Sequence, residues 1–136
     1  MRSVFACASL LTATAMSVSA SADPILECRA LAGDEMALED CLRTQLDISS
    51  RAMMEAQGLA RGAATQLDER TGTEGAVLGL EAAQQAWEAY RDVECQTLAL
   101  FAGGGATAEA AQLACEIRLT RARTDGMLRV AGQAGG

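Results

Sequence analysis

The chain has 136 residues, with 18 acidic residues, 11 basic residues and no histidine, so its formal net charge is −7. All of the basic residues are arginines, and the acidic balance argues against nucleic acid as a partner, because nucleic acid requires a basic footprint. Aromatic residues make up only 3% of the chain. A core must therefore be built from Leu, Ala, Met, Val and Ile, a composition that favours closely packed helices.

The first 22 residues have the features of a secretory signal peptide. One basic residue, Arg2, precedes an apolar run over residues 4–18, and residues 20–22 read Ala-Ser-Ala, the small residues that a signal peptidase recognises. We predict cleavage between Ala22 and Asp23. A membrane anchor is the alternative, but the apolar run is interrupted by Ser and Thr and is too short to span a bilayer.

Removal of the signal peptide changes both the length and the charge of the chain. Subtracting 22 residues from 136 leaves 114 residues, which suits one small domain with a single core. The loss of Arg2 leaves 10 arginines against 18 acidic residues, a net charge of −8. Such a charge commonly serves solubility, and it also attracts a cationic partner.

Four cysteines remain after cleavage, because Cys7 leaves with the signal peptide. An even number of cysteines in an exported chain favours disulfides. Zinc is the competing explanation, but the spacings are too wide for a C-x2-4-C half-site and the chain has no histidine. We therefore predict two disulfides among Cys28, Cys41, Cys95 and Cys115.

The first half of the mature chain predicts a short helix followed by a long one. Asp23 is a suitable N-cap, and Pro24 takes the first helical position. Asp34 is the next N-cap, after a glycine that stops the short helix. Residues 35 to about 66 are strong helix formers with apolar residues near a 3.6-residue period. The polar residues 68–75 predict a turn.

The second half predicts two more long helices. They cover approximately residues 76–101 and 107–130, and the glycine-rich residues 102–106 separate them. The terminal residues 131–136 predict a disordered tail. The sequence has no strand pattern, and short connections imply antiparallel neighbours. We therefore expect residues 23–130 to form an all-α antiparallel bundle of one short and three long helices with two disulfides.

One face of the third helix carries the only tryptophan of the chain. We expect this face to point into the core, with Trp87 as a buried anchor. Arg91 is expected to lie along the indole, and it needs a carboxylate from Asp92, Glu94 or helix two, because an unpaired buried charge is costly. Tyr90 lies off this face and is available for contact with a partner. Residues at steps of three and four define the face: Leu80, Gln84, Trp87, Arg91, Cys95 and Leu98.

The positions of the cysteines relative to the turns favour one disulfide pairing. Cys95 lies eight residues before Gly103 and Cys115 lies nine residues after Ala106, so an antiparallel hairpin brings them to nearly the same height, as a disulfide requires. Cys28 and Cys41 flank the break between the first two helices in the same way. We predict the pairs Cys28–Cys41 and Cys95–Cys115, although four cysteines permit three pairings and spacing alone leaves the other two open.

The second half of the chain resembles the LprI-like lysozyme-inhibitor family. That family has a W-x3-R-D-x2-C block, a G-G loop and a C-x3-L-T-x2-R block. The chain departs from the family pattern in its first half, where Ser50, Met53-Met54 and Gln57 stand in place of an Asp, a Leu-Asn pair and a Tyr. The residues that match the three blocks are Trp87, Arg91, Asp92, Cys95, Gly103, Gly104, Cys115, Leu119, Thr120 and Arg123.

The resemblance implies a secreted or periplasmic helical domain that binds a cell-wall hydrolase such as lysozyme. The alternative function is a structural or interaction module of the cell envelope with no hydrolase target, or with another periplasmic protein as its partner. After signal cleavage we expect no stable membrane anchor. The residues that we select as motif positions and candidate partner contacts are Trp87, Tyr90, Arg91, Asp92, Gly103, Gly104, Thr120 and Arg123.

An enzymatic function is not expected from this sequence. The chain has no histidine, no free cysteine if both disulfides form, and no motif for an activated nucleophile. Acidic pairs such as Glu88 and Asp92 are spaced by four residues, as is ordinary on a solvated helix face. We therefore assign no catalytic residue, no metal site and no cofactor.

The signal peptide gives the first testable prediction. N-terminal sequencing of the exported protein should begin at Asp23, because the Ala-Ser-Ala sequence places the cleavage after Ala22. A mature protein that retains Cys7 would contradict both the cleavage and the even cysteine count.

Overall fold

The structure, a computed structural model, describes residues 22–134. Apart from Ala22, the predicted signal peptide lies outside the described residues, as do the last two residues of the predicted tail. Within the described range the chain forms helices and no strand, which confirms the predicted all-α bundle of one short and three long helices. The helices are α1 (Pro24–Arg29), α2 (Glu35–Thr71), α3 (Gly75–Phe101) and α4 (Gly105–Ala134).

The first two helices begin where the sequence predicts. The Asp23 carboxylate accepts a hydrogen bond from the Ile25 N–H at 2.9 Å, and Pro24 occupies the first turn of α1. The Asp34 carboxylate accepts a hydrogen bond from the Ala37 N–H at 2.8 Å at the start of α2. Each cap satisfies a backbone donor that has no partner within its own helix.

Helix α4 contacts each of the other three helices, and its interface with α2 is the most extensive in the bundle. The core consists of two apolar clusters along this interface. The first lies where α1 joins the bundle and contains Cys28, Leu38, Leu42, Leu113 and Ile117. The second lies farther along α2 and contains Ala56, Ala60 and Met127, with Leu80 of α3 packed against it.

Both predicted disulfides are confirmed. Cys28 and Cys41 are bonded and join α1 to α2, with their Cα atoms 5.7 Å apart. Cys95 and Cys115 are bonded and join α3 to α4, with their Cα atoms 5.4 Å apart. Because successive long helices are antiparallel, both disulfides lie at the same end of the bundle, which we call the disulfide end.

Several predicted helix boundaries were wrong by a few residues. Helix α1 ends at Arg29, before the glycine that was expected to stop it. Helix α2 continues to Thr71, so the first part of the predicted 68–75 turn is helical, and its end is set by Gly72 in the left-handed conformation (φ +69°). Helix α4 begins at Gly105 and reaches Ala134, so it includes residues that the sequence assigned to the tail.

Asp68 lies in the segment predicted as a turn and links the end of α2 to the start of α3. Although it belongs to α2, its buried carboxylate accepts hydrogen bonds from the backbone N–H groups of Val77 and Ala76, both at 2.9 Å, and from the Thr73 hydroxyl at 3.2 Å. It therefore caps the N-terminus of α3, where Glu74 makes no side-chain cap. The Val77 N–H, with the other donors, holds the pKa of the Asp68 carboxyl below its ordinary value.

The substitution Asp68→Asn tests this cap. An amide keeps the shape of the side chain but places a donor against a backbone N–H, so the variant should have a lower Tm at neutral pH. Because the pKa of Asp68 is lowered on folding, its stabilisation is complete above the ordinary carboxyl pKa of about 4 and is lost as the pH falls further. The Tm difference between wild type and variant should therefore shrink in acid.

The exposed neighbour Glu69 offers a matched control. Glu69→Gln removes the same charge one position along α2, and its effect on Tm should be small. Thermal unfolding between pH 7 and pH 3, followed by circular dichroism, measures both variants. Equal Tm values for the two variants at neutral pH would exclude the capping role.

Candidate functional site

Polar side chains of the three long helices meet in a layer between the two apolar clusters. Gln84 of α3 is 3% exposed, and its side-chain oxygen accepts a hydrogen bond from Arg123 Nε of α4 at 3.0 Å. Its amide nitrogen donates to Glu88 at 2.9 Å and lies 4.0 Å from the sulfur of Met53 on α2. Gln84 thus contacts all three long helices, and we call this arrangement the polar layer.

Trp87 lies beside Gln84 and carries two arginines over its ring. The guanidinium carbon of Arg91 is 5.1 Å from the ring centroid, and that of Arg123 is 5.8 Å away. Both distances allow cation–π attraction. The expected placement of Arg91 along the indole is therefore found. Trp87 itself is half-buried, so it is less buried than the expected core anchor, and Gln84 lies deeper on the same face.

The two arginines differ in how their charge is balanced. Arg91 donates from Nε and Nη2 to one oxygen of Asp92, at 3.1 and 2.8 Å, so one of the carboxylates considered from the sequence is its partner. Arg123 bonds to an uncharged amide, and its buried Nη2 atom has no hydrogen-bond partner among the described residues. Gln84 also donates to the carboxylate of Glu88, so the negative charge of Glu88 offsets the positive charge of Arg123 through this hydrogen-bonded amide.

Thr120 adds a further buried polar group to this region. It is 0% exposed, and its hydroxyl has no hydrogen-bond partner within residues 22–134. Its backbone carbonyl accepts a hydrogen bond from the Thr124 hydroxyl at 2.9 Å. Buried polar groups at one level of an otherwise apolar interface disfavour shifted helix alignments, since a shift would bring them against apolar side chains.

The remaining candidate contact residues lie elsewhere. Tyr90 is exposed on the outer side of α3. Gly103 and Gly104 lie in the loop at the disulfide end, about 18 Å along α3 from Arg91 at 1.5 Å per residue. The residues selected from the sequence therefore do not form one site. Trp87, Arg91, Asp92, Thr120 and Arg123 gather at the polar layer, and the glycines form a separate loop.

Two sets of hydrogen bonds that join the helices, those of Arg121 and those of Gln84, were not predicted from the sequence. Arg121 donates to both carboxylate oxygens of Glu27 at 3.0 Å and to Gln45 at 3.1 Å, which ties α4 to α1 and α2. No local pattern predicts a pair 94 residues apart. Gln84 had a visible signal, because it is a polar residue on a face expected to be apolar.

The structure gives no membrane-spanning or metal-binding element in the part that it describes. Over residues 22–134, no helix combines the length and the apolar character needed to cross a bilayer. In the same range, no three Cys, Asp or Glu side chains form a group that could hold a metal ion.

The polar layer predicts a structural role for Arg123. Arg123→Ala should lower the free energy of unfolding by about 1–3 kcal/mol, because it leaves the buried Gln84 oxygen without its donor. Arg118, an exposed arginine of the same helix, is the control, and Arg118→Ala should change stability by less than about 0.5 kcal/mol. Chemical unfolding followed by the fluorescence of the only tryptophan measures both.

The comparison of the two variants decides between a structural arginine and a contact arginine. Equal stability of Arg123→Ala and Arg118→Ala would mean that the polar layer does not hold the helices, and it would return Arg123 to the set of candidate partner contacts.

Comparison with known proteins finds one matching family model. The sequence model of the family described as lysozyme inhibitor LprI matches residues 28–126, a range that includes all four disulfide cysteines. No curated protein and no solved structure matches the chain. Because the matched range covers more than half of the chain, the protein belongs to the LprI lysozyme-inhibitor family.

Proposed function

We propose that the protein is exported from the cytoplasm and inhibits a lysozyme by binding to it. The observation that carries this proposal is the family match over residues 28–126, because the family is described as a lysozyme inhibitor. The predicted signal peptide and the two disulfides support export, since disulfides persist in oxidising compartments. The proposed location is the periplasm or the medium.

Electrostatics support a basic hydrolase as the target. The mature chain has 10 arginines against 18 acidic residues, a net charge of −8. Opposite charge on the two proteins raises the rate of encounter and orients the partners before contact. Many lysozymes are basic, so an acidic inhibitor approaches them faster than a neutral protein of the same size.

We propose that the protein acts by blocking the substrate cleft of the hydrolase and not by catalysing a reaction. The family description is that of an inhibitor, and the chain has no histidine to act as a general base. Glycosidases of this kind act through two carboxylates in a cleft, and a protein that covers the cleft keeps the polysaccharide away from them. Arg91 and Arg123 are engaged with Trp87, Asp92 and Gln84, so they are better suited to hold the bundle together than to enter a cleft.

The proposal is tested by lysis of a cell-wall substrate. An excess of oxidised mature protein should slow lysis by lysozyme at low salt, and inhibition should weaken steeply with added salt, because charges are screened beyond about 10 Å at 0.1 M. Reduced and alkylated protein is the control, since it keeps the composition but loses the disulfides that hold α1 to α2 and α3 to α4.

Animal and bacterial lysozymes should both be assayed, at low and at moderate salt. Absence of inhibition in every combination would contradict the proposed target. The alternative, an interaction module of the cell envelope with no hydrolase target, would then be favoured, and a pull-down from periplasmic extract would identify its partner.

A further inference from the structure

The large apolar side chains that are most exposed in the described residues all lie at the disulfide end. Phe101 and Leu100 end α3, Leu31 follows α1, Met36 is in the first turn of α2 and Leu26 is on the outer side of α1. We call this set the apolar tip. The exposed fractions, in the same order, are 85%, 81%, 82%, 74% and 67%.

A groove of about 490 Å³ opens beside Phe101. It lies between the start of α1, the end of α3 and the beginning of α4. Among its lining residues Asp23 and Arg118 are charged, and the apolar ones are Pro24, Ile25, Leu98, Phe101, Ala102, Ala111 and Ala114. Exposed apolar side chains beside a largely apolar groove are characteristic of a protein interaction site.

The glycine-rich loop sets the shape of the tip. Gly103, Gly104 and Gly105 have φ values of +91°, +94° and +62°, which L-residues other than glycine rarely adopt. A Cβ atom at any of the three would meet nothing within 4 Å, so glycine is needed for the backbone conformation and not for packing. The tight loop leaves Leu100 and Phe101 at the edge of the bundle without side chains to cover them.

The two disulfides hold the tip in place. Cys95 lies six residues before Phe101, about 9 Å along the helix, and it fastens α3 to α4. The Cys28–Cys41 bond fastens α1 to α2 close to Leu31 and Met36. A surface that is already rigid loses less conformational entropy on binding.

The charge around the tip is strongly negative. Residues 22–43, which form α1 and the start of α2, contain six acidic residues and two arginines, a net charge of −4. Residues 23–43, which are 21 of the 114 residues of the mature chain, thus carry half of its net charge. Arg43, one of the two arginines, is also paired with Glu39 and Glu109. The tip is therefore an apolar surface beside an acidic one, and it suits an apolar patch on a basic partner.

We propose that the apolar tip is the surface through which the protein docks on a cationic lysozyme, with Leu100 and Phe101 as its central contacts. This inference rests on the proposed function and specifies where the inhibitor binds. A few residues near the centre of an interface contribute most of the binding energy, and the surrounding charges steer the approach. The polar layer then serves the fold, and the tip serves recognition.

The test compares two double variants, each of which replaces two exposed apolar side chains with serine. Leu100→Ser with Phe101→Ser alters the tip, and Met54→Ser with Leu59→Ser alters exposed positions in the middle of α2. Binding to the lysozyme that the oxidised protein inhibits is measured by calorimetry. The tip variant should bind at least tenfold more weakly, and the α2 variant should remain within about threefold of wild type. Because all four positions are exposed, circular dichroism should show unchanged folding.

A second pair of variants tests the charge separately from the apolar contacts. Glu35→Gln with Asp40→Asn removes two charges beside the tip, and Glu55→Gln with Glu69→Gln removes two charges elsewhere on α2. The first variant should slow association severalfold more than the second at low salt, and this difference should disappear at high salt.

The outcomes separate this inference from the function on which it rests. If the wild-type protein binds no lysozyme, the proposed function fails, and the docking partner named here fails with it. If the wild type binds and inhibits but the tip and α2 variants bind equally well, the function stands and only the tip is excluded. Selective loss of binding in the tip variant, with the stronger charge effect beside it, supports the inference.

Discussion

The hydrogen bond between Gln84 and Arg123 determines how α3 is aligned in the bundle. Only two residues of α3, Gln84 and Cys95, are fully enclosed, and each is bonded to α4, one through Arg123 and the other through Cys115. Two fixed points along one helix set both its register and its direction against a neighbour. A 27-residue helix with so little buried apolar surface depends on such specific bonds, because the hydrophobic effect alone does not distinguish one alignment from the next.

The need of α3 for specific bonds suggests a structural role for the sequence blocks that resemble the family. Their arginines, tryptophan and threonine are the residues expected of a recognition site, yet most of them are turned toward one another. Arg91 and Arg123 share the Trp87 ring, and each has a further polar partner. In a core with few aromatic residues, these contacts supply the specificity that interlocking aromatic side chains provide in other bundles. The residues of these blocks therefore stabilise the fold of the bundle, and the blocks do not by themselves identify a contact surface.

The features predicted well from the sequence were those encoded by neighbouring residues. The caps Asp23 and Asp34 and both disulfide pairs followed from spacing, because local turns bring those residues together. The predicted end of α2 was wrong because the polar residues 68–71 continue the helix, and Trp87 is less buried than expected, since Gln84 lies deeper on the same face. The pair Arg121 with Glu27 is separated by a long stretch of chain, and helical periodicity carries no information about which distant side chain lies opposite.

The apolar tip and the acidic surface act over different distances, and this difference gives each a separate role. Charge attracts a basic partner over roughly 10 Å in 0.1 M salt, so it governs how often the two proteins meet in the right orientation. Apolar side chains such as Phe101 act only on contact, where they govern how long the complex lasts. Long-lived contact requires that the apolar residues do not rearrange. The disulfides beside the tip supply this rigidity, and the Gln84–Arg123 bond holds α3, which carries Phe101, at a fixed height.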